Sequence, residues 1–162
     1  MTNKLWVLGP ALALSISAAA AESLVRFEGG IGSTPFSRGA GGVAAPNVVL
    51  GVTSGGQPWV IARLRADVKT DGRIRVDGEG LLLGGGNSIG TNANQSVRAR
   101  LFCGGVEHNS GLVPLEANGD FRIDDVLDPV PPDPCTSPVL LIVNAGGSWF
   151  AAGIPRREGD RR

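Results

Sequence analysis

The side chains able to do chemistry are few. The chain has one histidine, His108, and no tyrosine. Gly86-Asn87-Ser88-Ile89-Gly90 matches the Gly-x-Ser-x-Gly pattern of a nucleophile elbow. That elbow sets its serine on a sharp turn between a strand and a helix. Leu81 to Leu83 supply a strand, but Thr91 to Gln95 supply no helix. No Asp or Glu lies between Ser88 and Glu107 to serve in the usual chain order. In a chain this rich in Gly and Ser, chance is the better account of the match. His108, within Glu107-His108-Asn109-Ser110, reads as a loop residue rather than a base.

Asp120, Asp124, Asp125, Asp128 and Asp133 form an acidic run. Calcium takes about six to eight oxygens from a tight loop, and this spacing does not match such a loop. Solvated strand ends are the expectation, with a carboxylate pair for glycoside hydrolysis as a remote option. No metal or other cofactor is expected. Trp59 and Trp149 could form a sugar-stacking platform, but both sit in apolar segments where burial is the simpler outcome. The stretch from Gly84 to Ser96 is dense in Asn and Gln. Its Asn87, Asn92, Asn94 and Gln95 are the best candidates for polar recognition, because binding groups often ride on loops held by a rigid scaffold. A flexible solvent loop is the plainer reading. Asn94-Gln95-Ser96 is also a glycosylation sequon.

Cys103 and Cys135 are the only cysteines. They lack the CxxC spacing or neighbouring histidines of a redox or metal site. What they do depends on the compartment, which the first 21 residues decide. Lys4 lies in a short basic start, Leu5 to Ile16 is apolar, and Ala19-Ala20-Ala21 offers the small residues a signal peptidase inspects. The apolar run is too short, and too interrupted at Pro10, for a membrane span. The expectation is export to the periplasm or beyond, with Glu22 as the new N-terminus and one structural disulfide. Closing its loop of about 33 residues stabilises by about 3–4 kcal/mol in the chain-entropy model.

The expected organisation is a signal peptide over 1–21, one β domain over 22–154, and a disordered basic tail over 155–162. Fifteen basic and fifteen acidic residues cancel. Without Lys4 and the tail's arginines the folded part is mildly acidic, which leaves no electrostatic footprint for nucleic acid. No second apolar span holds the mature chain in a membrane.

The 25 glycines and 11 prolines suit a turn-rich β protein, and no mature segment has sustained helical periodicity. Strands are expected at Ser23–Phe27 and Asn47–Val52, separated by a long loop over Glu28–Ala45, with an irregular edge segment within it as an option. From Val60 to Val68 apolar residues alternate with Arg63, Arg65, Asp67 and Lys69; from Arg73 to Gly80 the alternation resumes. A two-residue turn at Asp71-Gly72 would set Lys69 beside Ile74. A three-residue turn over Thr70-Asp71-Gly72, with Gly72 left-handed, instead sets Val68 opposite Ile74 and Ala66 opposite Val76. Asp67 then meets Arg75, Arg65 meets Asp77 and Arg63 meets Glu79, at about 0.2–1 kcal/mol a pair. Leu81 to Leu83 extend this strand.

Val97–Cys103 alternates again. A second hairpin is expected about Asn118-Gly119, pairing Leu115 with Phe121 and Val113 with Ile123, with Pro114 on an edge. The five prolines of Asp128–Pro138 mark an extended crossing. Val139–Val143, apolar on both faces, reads as a central covered strand, and Ser148–Ile154 as the last. The fold class is all-β: an antiparallel β-sandwich, Ig-like or jelly-roll-like, of about eight strands, with a barrel as the alternative.

QPWVIARLRADVKTDGRIRVDG (Gln57–Gly78), GTNANQS (Gly90–Ser96), GDFRIDDVL (Gly119–Leu127) and SPVLLIVNAGGSWFAAGIP (Ser137–Pro155) together resemble a group of small exported bacterial proteins without an assigned function. The resemblance implies export and a compact β domain, and it brings no activity and no functional residue. The expected role is a non-enzymatic one, binding or structural, outside the cytoplasm, toward an unidentified extracellular or periplasmic ligand or protein. The alternatives are a small secreted hydrolase using acidic residues or Ser88, and an inhibitor or adhesion partner of another protein.

Overall fold

The computed structural model describes residues 19–156. All but the last three residues of the expected signal peptide lie outside that range, as does the tail beyond Arg156.

The strands in chain order are β1 (Ser23–Gly32), β2 (Phe36–Arg38), β3 (Ala44–Pro46), β4 (Val48–Val49), β5 (Val52–Thr53), β6 (Trp59–Val60), β7 (Arg63–Lys69), β8 (Arg73–Glu79), β9 (Leu82–Leu83), β10 (Ser96–Cys103), β11 (Val106–Asn109), β12 (Val113–Pro114), β13 (Phe121–Val126), β14 (Val139–Asn144) and β15 (Trp149–Pro155). Eight of them form one antiparallel sheet in the order β11-β10-β14-β15-β1-β7-β8-β13, and β12 adds to β10. The sheet curls into a half-barrel. Asn109 on β11 and Asp128, just past β13, exchange both backbone hydrogen bonds at 2.9 Å and so link its two ends. The expected all-β antiparallel architecture is present, and its main strands belong to a single curled sheet, the barrel-like of the two arrangements.

Alternation explains the core. Leu64, Val68, Ile74, Val76, Leu101, Ile123, Leu140 and Ile142 point inward and are essentially inaccessible. Burying each is worth about 1.5–3 kcal/mol relative to leaving it in water. β14 is covered on both faces, as its composition requires. Leu140 and Ile142 join the interior, while Leu141 and Val143 pack outside with Val52, Phe102 and Trp149.

The β7–β8 hairpin has the derived register: Val68 faces Ile74, Ala66 faces Val76, and the three charged pairs lie opposite one another. Gly72 is left-handed, at φ 87°. The charges, however, bond across the sheet more than within the hairpin. Only Arg63 and Glu79 remain together, at 3.5 Å. Arg65 turns to Glu28 on β1 at 3.6 Å, and Asp77 to Arg122 on β13 at 2.6 Å. Asp67 takes Lys69 at 2.8 Å and Arg26 at 3.6 Å, and Arg75 takes Asp124 at 2.9 Å. A hairpin alone offers each charge one neighbour; the sheet offers two.

Other expectations are corrected. β1 does not stop at Phe27; it continues through a bulge to Gly32. The supposed loop then contains the β2–β3 hairpin. Asn47–Val52 is not one strand, because Leu50 and Gly51, at φ 47° and 81°, turn β4 back onto β5. Val60 is exposed, since the chain breaks between β6 and β7 and the inward series begins only at Leu64. Gly80, at φ 65°, likewise separates β8 from Leu81–Leu83, which turn away so that β9 pairs with β6.

The second hairpin keeps its turn and loses its ladder. Glu116 N donates to Asp120 O at 2.9 Å across Asn118-Gly119. Beyond that point β12 pairs with β10 and β13 with β8. Two free sheet edges hold these arms better than the arms hold each other. The Phe121 ring lies where a side chain on Gly78 would stand. His108 is not in a loop but buried in β11, opposite Leu101. At the far end β15 reaches Pro155, and Arg156 N donates to Arg26 O at 2.9 Å, so strand structure runs past the expected boundary.

Cys103 and Cys135 form the disulfide, with Cα atoms 4.9 Å apart. It ties the end of β10 to the proline-rich crossing, which carries cis peptides at Asp128-Pro129 and Asp133-Pro134.

Candidate functional site

Three chain segments meet at the end of the half-barrel where β10 begins. Gly55, Gly56 and Gln57 come from the turn between β5 and β6. Ser88, Ala93 and Gln95 come from the loop between β9 and β10. Asn144 ends β14, and Ser148 precedes β15 across the turn between them. With Trp59, Leu83 and Phe150 they surround a hollow of about 490 Å³. Its floor is the stacked pair of Trp59 and Phe150, 3.9 Å between centroids and 14° from parallel. Both rings are buried, so they close the interior beneath the hollow. Among the described residues no charged side chain lines it.

The walls are held in place. Asn144 Nδ2 donates to Gln95 Oε1 at 3.2 Å, and Asn144 Oδ1 accepts from Ser148 N at 2.9 Å. Gly84 N donates to Pro58 O at 2.7 Å, and Gly90 N to Leu83 O at 2.8 Å. The glycine run at 84–86 allows close approach. A Cβ on Gly85 would stand 2.8 Å from Pro58 Cγ, and one on Gly86 2.7 Å from Gln57 Oε1.

The four residues singled out in this loop therefore divide. Gln95 lines the hollow. Asn92 is an anchor: its Nδ2 donates to Leu115 O at 3.1 Å and Glu116 O at 3.0 Å, and its Oδ1 accepts from Asn94 N at 2.9 Å. Asn87 and Asn94 are exposed and do not line the hollow. These bonds make the loop a pinned element rather than free chain. Sequence reasoning missed Gln57, Asn144 and Ser148. Each sits where an expected strand ends or a turn begins, and only the topology puts those ends together.

Ser88 and His108 are not brought together. Ser88 belongs to the rim where β10 begins, and His108 pairs with Leu101 toward its other end. His108 is 3% exposed, and its Nδ1 lies 2.7 Å from Pro129 O, so that nitrogen carries the proton and donates. Its Nε2 is buried with no partner among the described residues.

The acidic run is also dispersed. Asp120 accepts from Gly80 N and Asn118 Nδ2, Asp124 pairs with Arg75, and Asp125 accepts from Gly111 N. Among the described residues no three His, Cys, Asp or Glu side chains gather to hold a metal ion. Trp59 and Trp149 are both buried, in separate clusters.

Electrostatic perturbation is found on the outer wall instead. Partial burial works to raise the Asp67 carboxyl, but hydrogen bonds from Lys69 and Ser23 and the charges of Lys69 and Arg26 outweigh it and hold it below the usual carboxylate range. The hydrogen bond and charge of Asp124 hold the Arg75 guanidinium above its ordinary value. A smaller hollow of about 360 Å³ lies here, but the guanidinium and carboxylate groups around it bond to one another.

No family model, curated protein or solved structure matches the chain.

Proposed function

We propose that this chain is an exported, non-enzymatic binding protein whose half-barrel mouth takes a neutral, hydrogen-bonding ligand. The observation that carries the reading is the lining of the mouth. Gln57, Ser88, Gln95, Asn144 and Ser148 supply donors and acceptors without a formal charge. An ionic ligand would bring a charge that nothing there neutralises, at a desolvation cost. The volume falls within the range typical of small-molecule sites, about 300–1,000 Å³. Export is supported by the leader-like residues 1–21 and by a disulfide suited to an oxidising compartment. The hydrolase alternative draws no support from Ser88 and His108, which lie toward opposite ends of β10.

The test is calorimetry with a panel of neutral oligosaccharides and uncharged short peptides, on the exported chain and on its Gln57→Ala, Ser88→Ala double variant. A neutral compound should bind the parent and bind the variant about tenfold or more weakly, the cost of losing one or two hydrogen bonds. Binding only by charged compounds, or neutral binding indifferent to the double variant, would remove the mouth from consideration.

A further inference from the structure

From Thr34 to Gly51 no side chain is buried. β2 and β3 pair only with each other, three residues to a strand. A two-stranded ribbon this short is marginal by itself in water. Phe36 and Val43 on it are 64% and 69% exposed. The adjoining β4–β5 hairpin rests on the sheet through Val49 and Val52, while Val48 and Leu50 remain exposed. Together with Ile31 and Val60, these are half of the large apolar side chains that the described residues expose.

Two further observations bear on what covers this arm. From Gly29 to Ala62 the only charged residue is Arg38, and there is no carboxylate. Arg38 has no ion pair among the described residues. Leu50 stands at the first place of a tight turn with φ 47°, where Asn or Gly is the unstrained choice. An exposed leucine there is unfavourable for its backbone and for its apolar surface at once. An apolar environment around the tip removes the second of these costs.

We propose that the arm docks on an anionic lipid surface. Phe36, Val43, Val48 and Leu50 enter the interface, and Arg38 meets a lipid phosphate. Anionic headgroups repel carboxylates and attract cations, so a stretch with one cation and no acid is the part of this molecule suited to them. On the wall of β1, β7, β8 and β13 the cations Arg26, Arg65, Lys69, Arg75 and Arg122 are already paired with Glu28, Asp67, Asp77 and Asp124, so a phosphate there would compete with carboxylates in place. A second copy seated arm to arm would give Arg38 no anion, because the arm has none. This docking is independent of the ligand at the mouth.

The experiment is co-sedimentation of the exported chain, its N-terminus verified by mass, with vesicles of phosphatidylglycerol mixed into phosphatidylcholine and with phosphatidylcholine alone. The chain should bind the anionic vesicles more tightly than the neutral ones, and less as salt rises. Arg38→Gln should weaken binding about fivefold. Leu50→Asn with Phe36→Ser should weaken it about tenfold or more. Asn suits the left-handed turn, so Leu50→Asn alone should weaken binding without lowering the melting temperature. Three results would overturn the proposal: no binding to anionic vesicles, equal binding by the variants, or a dimer in solution that Leu50→Asn dissociates.

Discussion

The outer wall of β1, β7, β8 and β13 and the arm from Thr34 to Gly51 come from neighbouring stretches of one chain and use polarity in opposite ways. On the wall, charges of both signs alternate along each strand and across the sheet. Glu28 meets Arg65 and Arg156, Asp67 meets Lys69 and Arg26, and Asp77 meets Arg122. Each group is occupied by its own neighbours. The arm has no such pairing and leaves apolar side chains in water. A dense set of charges is therefore no sign of a ligand site here, because what is already paired has little left to offer. Unused capacity lies at the arm and at the mouth, where the Gln57 and Ser88 side chains have no hydrogen-bond partner among the described residues.

The comparison can be broken most forcefully from beneath the wall. Leu64→Ala removes a fully buried side chain under the charged face and should cost about 2–5 kcal/mol. Leu50→Ala in the arm should change stability by less than about 0.5 kcal/mol. Urea denaturation of both variants measures the difference, and similar losses would mean that the arm is integral to the core. Next in size is the disulfide. Replacing Cys103 and Cys135 with Ala should cost about 3–4 kcal/mol, read from the same denaturation curves. An unchanged midpoint would show that the proline-rich crossing is held by its other contacts.

The smallest effect belongs to the wall's own charges. Asp67 has its carboxyl held below the usual range in the folded state. Its contribution is therefore fully present above the unfolded-state value of roughly 4 and is lost as pH falls through the lower folded value. The side chain is 33% exposed, so screening limits Asp67→Asn to about 0.2–1 kcal/mol at neutral pH. The variant should lose less stability on acidification than the parent. Arm substitutions such as Val43→Ser should leave the acid profile unaltered, since no carboxylate lies in that stretch.

Much of the wall was legible in advance. The β7–β8 register follows from alternation and a three-residue turn, where partners are close in sequence and every competing register misplaces several side chains together. The loop between β9 and β10 was legible only as composition. Asn92 and Gln95 look alike in the sequence, yet one anchors backbone carbonyls and the other faces the mouth. What separates them is the approach of Leu115 and Asn144, distant segments whose arrival no local pattern encodes.

By itself the sequence determined the alternating strands, the covered centre at β14, the only possible cystine, and the absence of carboxylates from Gly29 to Ala62. These depend on residue type and near neighbours. Tertiary structure alone decided that β12 and β13 leave their hairpin for separate edges, and that Asp77 prefers Arg122 to Arg65. It also decided that Gln57, Gln95 and Asn144 share one hollow. A strand edge or a side chain takes the best partner within reach, and reach is set by how the whole sheet curls.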